Sequence, residues 1–361
     1  MSRAASDLLV DTLRLDGAAT GLAERWAAAD ERGVAALTRR EGAAQWLTRR
    51  LSRAAPGAGP VATLAGDARG ELARNLLVDE AADVALRFLA ERSVPTVPIK
   101  GTARRAAAAL YPWADARATH DVDLLVPAGS ARVAWEAFRA AGYDYATDPA
   151  ATPPGLFHQP PLAGPHRVGI ELHESTATRV SAAEAWRRAS DGADTVHWRG
   201  HDLRIPSATE LLWHGAVHAV RHGPTGFRLR FFLDGAAILA TERPVDWDEV
   251  ANRLATGADG ADPRLIRAWL VAAAELAGVV PALSGPGFSV RRTLGWRLAV
   301  VRRCGGRPRT VQTLFEEGTR AELGLVRRPA LAASSAYVRT RRRATALVAR
   351  LLYRAWRALS F

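Results

Sequence analysis

TVPIKGTARRAAAALYPWADARATHDVDLLV, residues 96–126, decides how the rest of the chain is read. A short apolar run ends at Lys100-Gly101, an alanine-rich helix is predicted to follow, and after a tight loop a second strand carries Asp121-Val122-Asp123. Strand side chains alternate between faces, so Asp121 and Asp123 point one way while Val122 and Leu124 point into the core. Two adjacent carboxylates repel unless something positive lies between them. The usual partner is a divalent cation with oxygen ligands, and Mg²⁺ takes a carboxylate or two together with substrate phosphates. The motif is short, and the same spacing arises where one aspartate caps a turn and the other is solvated.

Lys100 is the only lysine in the chain; the other 48 of 49 basic side chains are arginine. A bias that strong replaces lysine wherever arginine serves. A lysine retained beside a glycine, just ahead of the carboxylate strand, suggests a place that needs a compact ammonium rather than a planar fork, the alternative being chance retention.

The chain has 361 residues, long enough for two domains or one large one, with 48% hydrophobic and 24% charged residues, the balance of a globular protein. Alanine, arginine and leucine favour helix over sheet. The single cysteine, Cys304, excludes an intramolecular disulfide and a cysteine-based zinc site. No signal-peptide pattern opens the chain and no uninterrupted apolar run reaches about 18 residues, so a soluble, cytoplasmic protein is expected. The net charge of +12 favours anionic partners, although the arginine bias and a basic tail produce the same excess. No motif points strongly to nucleic acid.

Residues 1–92 read as helices, broken by APGAGP at 55–60. The last of them carries Leu72, Leu76, Leu77, Ala81, Val84, Leu86 and Leu89 at roughly helical period. After the Asp-Val-Asp strand, Ser130 is a plausible N-cap and Gly142 a C-cap glycine. A short strand at 143–145 and a Pro/Gly-rich loop at 147–166, long enough for a lid, come next. In HRVGIELHES, alternation puts Ile170 and Leu172 on one face and Arg167, Glu171 and His173 on the other, which makes Glu171 a third carboxylate. A hairpin turns at Arg199–Asp202. Ser207 and Glu210 have capping-box spacing and open a helix on which His214, His218 and His222 share a face. That ladder suits either a metal or half-buried polar groups facing a site. The final stretch is a basic amphipathic helix, suited to an anionic membrane, an acidic partner or the protein's own core.

Strand-Lys-Gly, helix, Arg-x-x-x-Asp-x-Asp-Leu-Leu-Val, helix, Gly-Tyr and a strand with Glu-Leu-His together resemble the uncharacterised bacterial nucleotidyltransferase family of the polymerase-β-like superfamily. The likeness continues through LLWHGAVHAVRH, RLRFFLDGAAIL and VDWDEV, covering most of residues 70–275. It implies an α+β fold with a small mixed sheet. The expected parts are an N-terminal helical region (1–92), a catalytic core (93–206), a C-terminal helical domain (207–290) and a basic helical tail (291–361). It further implies two Mg²⁺ ions, or Mn²⁺, on Asp121, Asp123 and Glu171. A nucleoside triphosphate, with ATP the expected donor, would be held near Lys100, Gly101, Thr102 and Arg117. Gly101-Thr102 stands where a smaller pair usually touches the triphosphate, and the gap from Gly101 to Asp121 is longer than usual. His120, His173 and His218 are candidates for the side of an unknown hydroxyl or phosphate acceptor. Arg117 also suits a salt bridge that orders its loop.

Two other readings stand beside this one. A glycosyltransferase would use Asp121-Val122-Asp123 to hold a metal and a sugar nucleotide, but needs a larger parallel sheet upstream. A non-catalytic binding protein would grip an acidic partner or membrane through the tail.

Overall fold

The computed structural model describes residues 2–15, 21–29, 33–146, 158–177, 179–257, 259–280, 283, 288–304 and a few positions between 315 and 323. The basic amphipathic stretch from 338 and the loop at 147–157 lie outside them. The fold is α+β, with helices at both ends of a small mixed sheet.

Helices α1 (Ser2–Leu13), α2 (Leu22–Ala27), α3 (Val34–Glu41), α4 (Ala44–Ala54) and the long α5 (Gly59–Ala90) come first. α5 starts at Gly59, inside the APGAGP stretch expected to be a break, because Pro60 in the first turn needs no backbone N–H there. Only part of its apolar periodicity is buried. Ala81, Leu86 and Leu89 enter the core, whereas Leu72, Leu76 and Leu77 are exposed.

The sheet runs β1-β2-β5-β4-β3. Its strands are β1 (Val97–Pro98), β2 (Asp121–Leu125), β3 (Asp144–Tyr145), β4 (Leu162–Ala163) and β5 (Gly169–His173). β2 pairs in parallel with β5, and the other pairings are antiparallel. β4 lies inside the stretch expected to be loop; two residues are too few to raise a period-two signal. Helices α6 (Lys100–Ala106) and α7 (Ser130–Ala140) join α5 in packing against β2 and β5. Ser130 does not cap α7: Gly129 takes that position at φ 79°, a left-handed conformation that glycine adopts without steric cost. Arg167 falls in an exposed turn ahead of β5, off the strand face it was expected to share with Glu171 and His173.

After α8 (Ala182–Ser190), the hairpin of β6 (Asp194–Trp198) and β7 (His201–Ile205) turns on Arg199 and Gly200, both at positive φ. α9 (Ala208–Arg221) opens on Ser207, whose hydroxyl accepts the Glu210 N–H at 3.2 Å. The Glu210 carboxylate does not reach back to close a capping box; it pairs with Arg253 at 2.6 Å. α10 (Leu229–Leu239), α11 (Trp247–Thr256) and α12 (Pro263–Ala277) pack around α9. α13 (Val290–Cys304) returns to lie against α1.

Candidate active site

The apolar alternation of β2 buries Val122 and Leu124 completely. The intervening side chains, Asp121 and Asp123, therefore share the other face. The parallel register sets Glu171 of β5 directly beside Asp123. Asp121, Asp123 and Glu171 all line a cavity of about 330 Å³, together with Lys100, Arg117, His120, His218, His222, Arg230 and Phe231. Strands 50 residues apart thus deliver the three carboxylates foreseen from their alternation.

Lys100 opens α6 at φ 50°, and its Nζ lies 2.6 Å from Asp123 Oδ1 and 3.8 Å from Glu171 Oε2. His173 Nε2 reaches the same two oxygens, at 3.0 Å and 3.3 Å. Asp123, Glu171 and His173 each present a ligand atom within 4.8 Å of the others, enough to hold a metal ion. His173 is thereby drawn into the carboxylate cluster and is only 3% exposed. His158 Nε2 approaches the same Glu171 oxygen at 3.8 Å, its ring 5.0 Å from that of His173. It sits just past a stretch dominated by proline and glycine, and no sequence pattern marks it.

The segments around Lys100 pack tightly. A side-chain carbon at Gly101 would lie 2.6 Å from Arg117 Nη1 and 2.7 Å from Thr119 Cγ2, so only glycine fits. Thr102 turns inward, its hydroxyl accepting the Asp123 N–H at 2.9 Å. Neither Gly101 nor Thr102 lines the cavity. Arg117 does, while its Nε is 3.0 Å from Asp234 Oδ2 on α10. Buried Arg104 donates to the Asp234 carbonyl at 2.9 Å and fastens α6 to the same turn of α10. Asn75 of α5, fully buried, donates to the Asp115 carbonyl at 3.1 Å and accepts the Thr119 N–H at 3.0 Å, which pins the loop leading into β2. Asn75 and Asp234 carry no local sequence signal. Their partners are 40 or more residues away.

Burial and the neighbouring Asp123 and Glu171 charges push the Asp121 carboxyl up to about 7. Burial would do the same to Asp123, but the Lys100 ammonium and His173 reverse it, holding Asp123 well below the usual carboxylate range. Glu171 is also lowered: burial opposes ionisation, and the His173 hydrogen bond and Lys100 outweigh it. On α9, burial and Lys100 push His214 down to about 3 and His218 to about 2, so both are neutral at ordinary pH. His218 and His222 stand with their Nε2 atoms 3.1 Å apart, and the His222 ring stacks on Phe231. Of the predicted ladder, His218 and His222 line the cavity, whereas buried His214 borders a smaller neighbouring pocket with Leu211 and Trp269.

Clustered acids beside arginines suit a substrate that brings both phosphates and a divalent ion, which is what enzymes of nucleotidyl transfer handle. The chain belongs to one such family: the family model described as an uncharacterised nucleotidyltransferase matches residues 27–258. Membership supports nucleotidyl transfer as the chemistry and implies a nucleoside triphosphate substrate. No match was found among curated proteins or among solved structures. Among the described residues, no helix is long and apolar enough to cross a membrane.

Proposed function

We propose that the protein is a Mg²⁺-dependent nucleotidyltransferase that moves a nucleoside monophosphate from a nucleoside triphosphate, with ATP the first donor to test, to a hydroxyl or phosphate acceptor. The observation that carries the reading is the register of β2 on β5, with Asp123 beside Glu171 at the edge of the cavity. The donor set fits the ion. Hard carboxylate oxygens suit Mg²⁺, and the His173 nitrogen also admits Mn²⁺. Burial first, and then the neighbouring Asp123 and Glu171 charges, raise the Asp121 carboxyl, and a divalent ion beside it would favour its ionised form.

Asp121, Asp123 and Glu171, with His173 beside them, would hold the ion. When bound it supplies positive charge to the phosphates and lowers the pKa of an acceptor hydroxyl. Arg117 and Arg230 line the same cavity and contribute fixed positive charge for the triphosphate. Neutral His218 and His222, backed by Phe231, offer an uncharged wall for the acceptor. His120 at the cavity edge is a second candidate for that side. The acceptor oxygen attacks the α-phosphorus, the bond from that phosphorus to the bridging oxygen breaks, and pyrophosphate leaves with the electron pair. A hydroxyl acceptor gives up its proton to solvent.

The glycosyltransferase reading lacks support, because the sheet contains one parallel pair rather than a broad parallel array. The test is titration calorimetry with ATP, GTP, CTP and UTP in Mg²⁺. Metal-dependent binding of a nucleotide, abolished in Asp121→Asn/Asp123→Asn, is the expected result. A folded protein that binds none of the four would sink the proposal.

A further inference from the structure

The backbone around Lys100 is registered to the carboxylate it touches. Ile99 donates its N–H to the Asp123 carbonyl at 3.1 Å, and Thr102 accepts the Asp123 N–H at 2.9 Å. Both backbone groups of Asp123 are thus held by residues flanking Lys100. Lys100 itself sits at φ 50°, in a region that non-glycine residues enter at a cost and keep where the surroundings demand it. Its stem is half-buried, and its ammonium lies between Asp123 and Glu171. The chain's one lysine is therefore a built-in component of the site.

The place that this ammonium fills is informative. A divalent ion bridging Asp123 Oδ1 and Glu171 Oε2 would stand about 2.1 Å from each oxygen. Lys100 Nζ and His173 Nε2 already converge on those same two oxygens. A second centre of positive charge there would meet a fixed ammonium at close range, where partial burial weakens screening by water. The hydrogen bonds of the Asp123 carboxylate to described residues fall on Oδ1, which leaves Oδ2 for a cation. Arginine would not substitute, because a planar fork is too broad for a position that an ion would otherwise fill.

We infer that Lys100 takes the place of one of the two divalent ions that the resemblance implies, so that the site works with a single divalent ion and a permanent ammonium. This rests on the metal-dependent reading above. The ammonium neutralises Asp123 and Glu171 without being taken up or released. The one exchangeable ion then lies on the cavity side of the same three carboxylates, Asp121, Asp123 and Glu171.

The experiment counts ions. Mn²⁺ alone is titrated into the full chain, with free ion followed by electron paramagnetic resonance and Asp121→Asn/Asp123→Asn as the background. Wild type is expected to take one Mn²⁺ per chain above background. Lys100→Met is expected to take two, with the spin–spin broadening of close neighbours. Two ions in wild type, or one in Lys100→Met, would overturn the inference while leaving the metal-dependent reading intact. No ion in either protein would overturn both. The wild-type count decides even if Lys100→Met fails to fold.

Discussion

The Glu41 carboxylate, at the end of α3, accepts two hydrogen bonds from Nη1 of Arg297 on α13, at 2.8 Å and 2.7 Å, across 256 residues of chain. Both side chains are buried, and the same carboxylate accepts the Leu229 N–H at the start of α10 at 2.9 Å. Arg297 continues to the Phe227 carbonyl and the Thr319 hydroxyl. α13 lies beyond the residues that the family model matches, yet it is fastened to the first and last parts of the matched region. Breaking a buried pair by removing one partner costs about 3–5 kcal/mol. Arg297→Met should lower the urea midpoint accordingly, and Glu41→Gln/Arg297→Met should recover part of the loss. A variant as stable as wild type would show that the Arg297–Glu41 pair adds nothing to stability.

Asn75 is the anchor for the loop that enters β2. Replacing it with alanine strands the Thr119 N–H and the Asp115 carbonyl, each costing about 1–3 kcal/mol if no water replaces the partner. Asn75→Ala should therefore be measurably less stable in urea. It should also bind nucleotide more weakly, although it touches no part of the cavity lining. Unchanged nucleotide affinity would mean that the loop holds its position without it.

At Gly101, a methyl group meets Thr119, which is buried and short, and Arg117, which is tied to Asp234. Neither can yield freely. Overpacking of this kind costs about 1–3 kcal/mol. Gly101→Ala should show that loss in thermal unfolding, together with weaker triphosphate binding as Arg117 is displaced. The Gly101→Ala/Thr119→Ser pair, which removes one clashing carbon, should be milder than the single change.

The raised Asp121 carboxyl makes stability depend on pH in a defined direction. Its folded pKa of about 7 exceeds the ordinary 3.8, so the folded state holds the proton more tightly than the unfolded chain. That contribution is complete below 3.8 and is lost as pH rises to about 7. In EDTA, Tm of wild type should fall across this window relative to Asp121→Asn. Added Mg²⁺ should raise Tm more at pH 8 than at pH 5, because it binds the ionised form. Parallel curves for the two proteins would remove Asp121 as the source.

Much of the site is legible because strands write it with a period of two. Val122 and Leu124 must be inside, so Asp121 and Asp123 share a face; Ile170 and Leu172 do the same for Glu171 and His173. The hairpin is announced by Gly200, and the start of α9 by Ser207. What stayed hidden depends on contacts between distant segments. Nothing near Arg117 names Asp234, nothing near Thr119 names Asn75, and His158 looks like any loop histidine. Helical periodicity in α5 was visible, but periodicity says which residues share a face and not whether that face is covered. Leu72, Leu76 and Leu77 are the result. The resemblance implies Thr102 near the triphosphate, since Gly101-Thr102 stands where a smaller pair usually touches it; in the fold its hydroxyl goes to Asp123.

The pairing of β2 with β5 also acts as a guard against error. Were β5 to slip by a single residue, Ile170 or Leu172 would come to stand beside Asp123, and the Glu171 carboxylate would turn into hydrocarbon. Such a slip would expose two fully buried aliphatic side chains and bury a charge in one move. The greasy side of the strand therefore proofreads the charged side. Polar replacements at Ile170 or Leu172, remote from any substrate, would loosen the alignment of the carboxylates before they unfolded the chain.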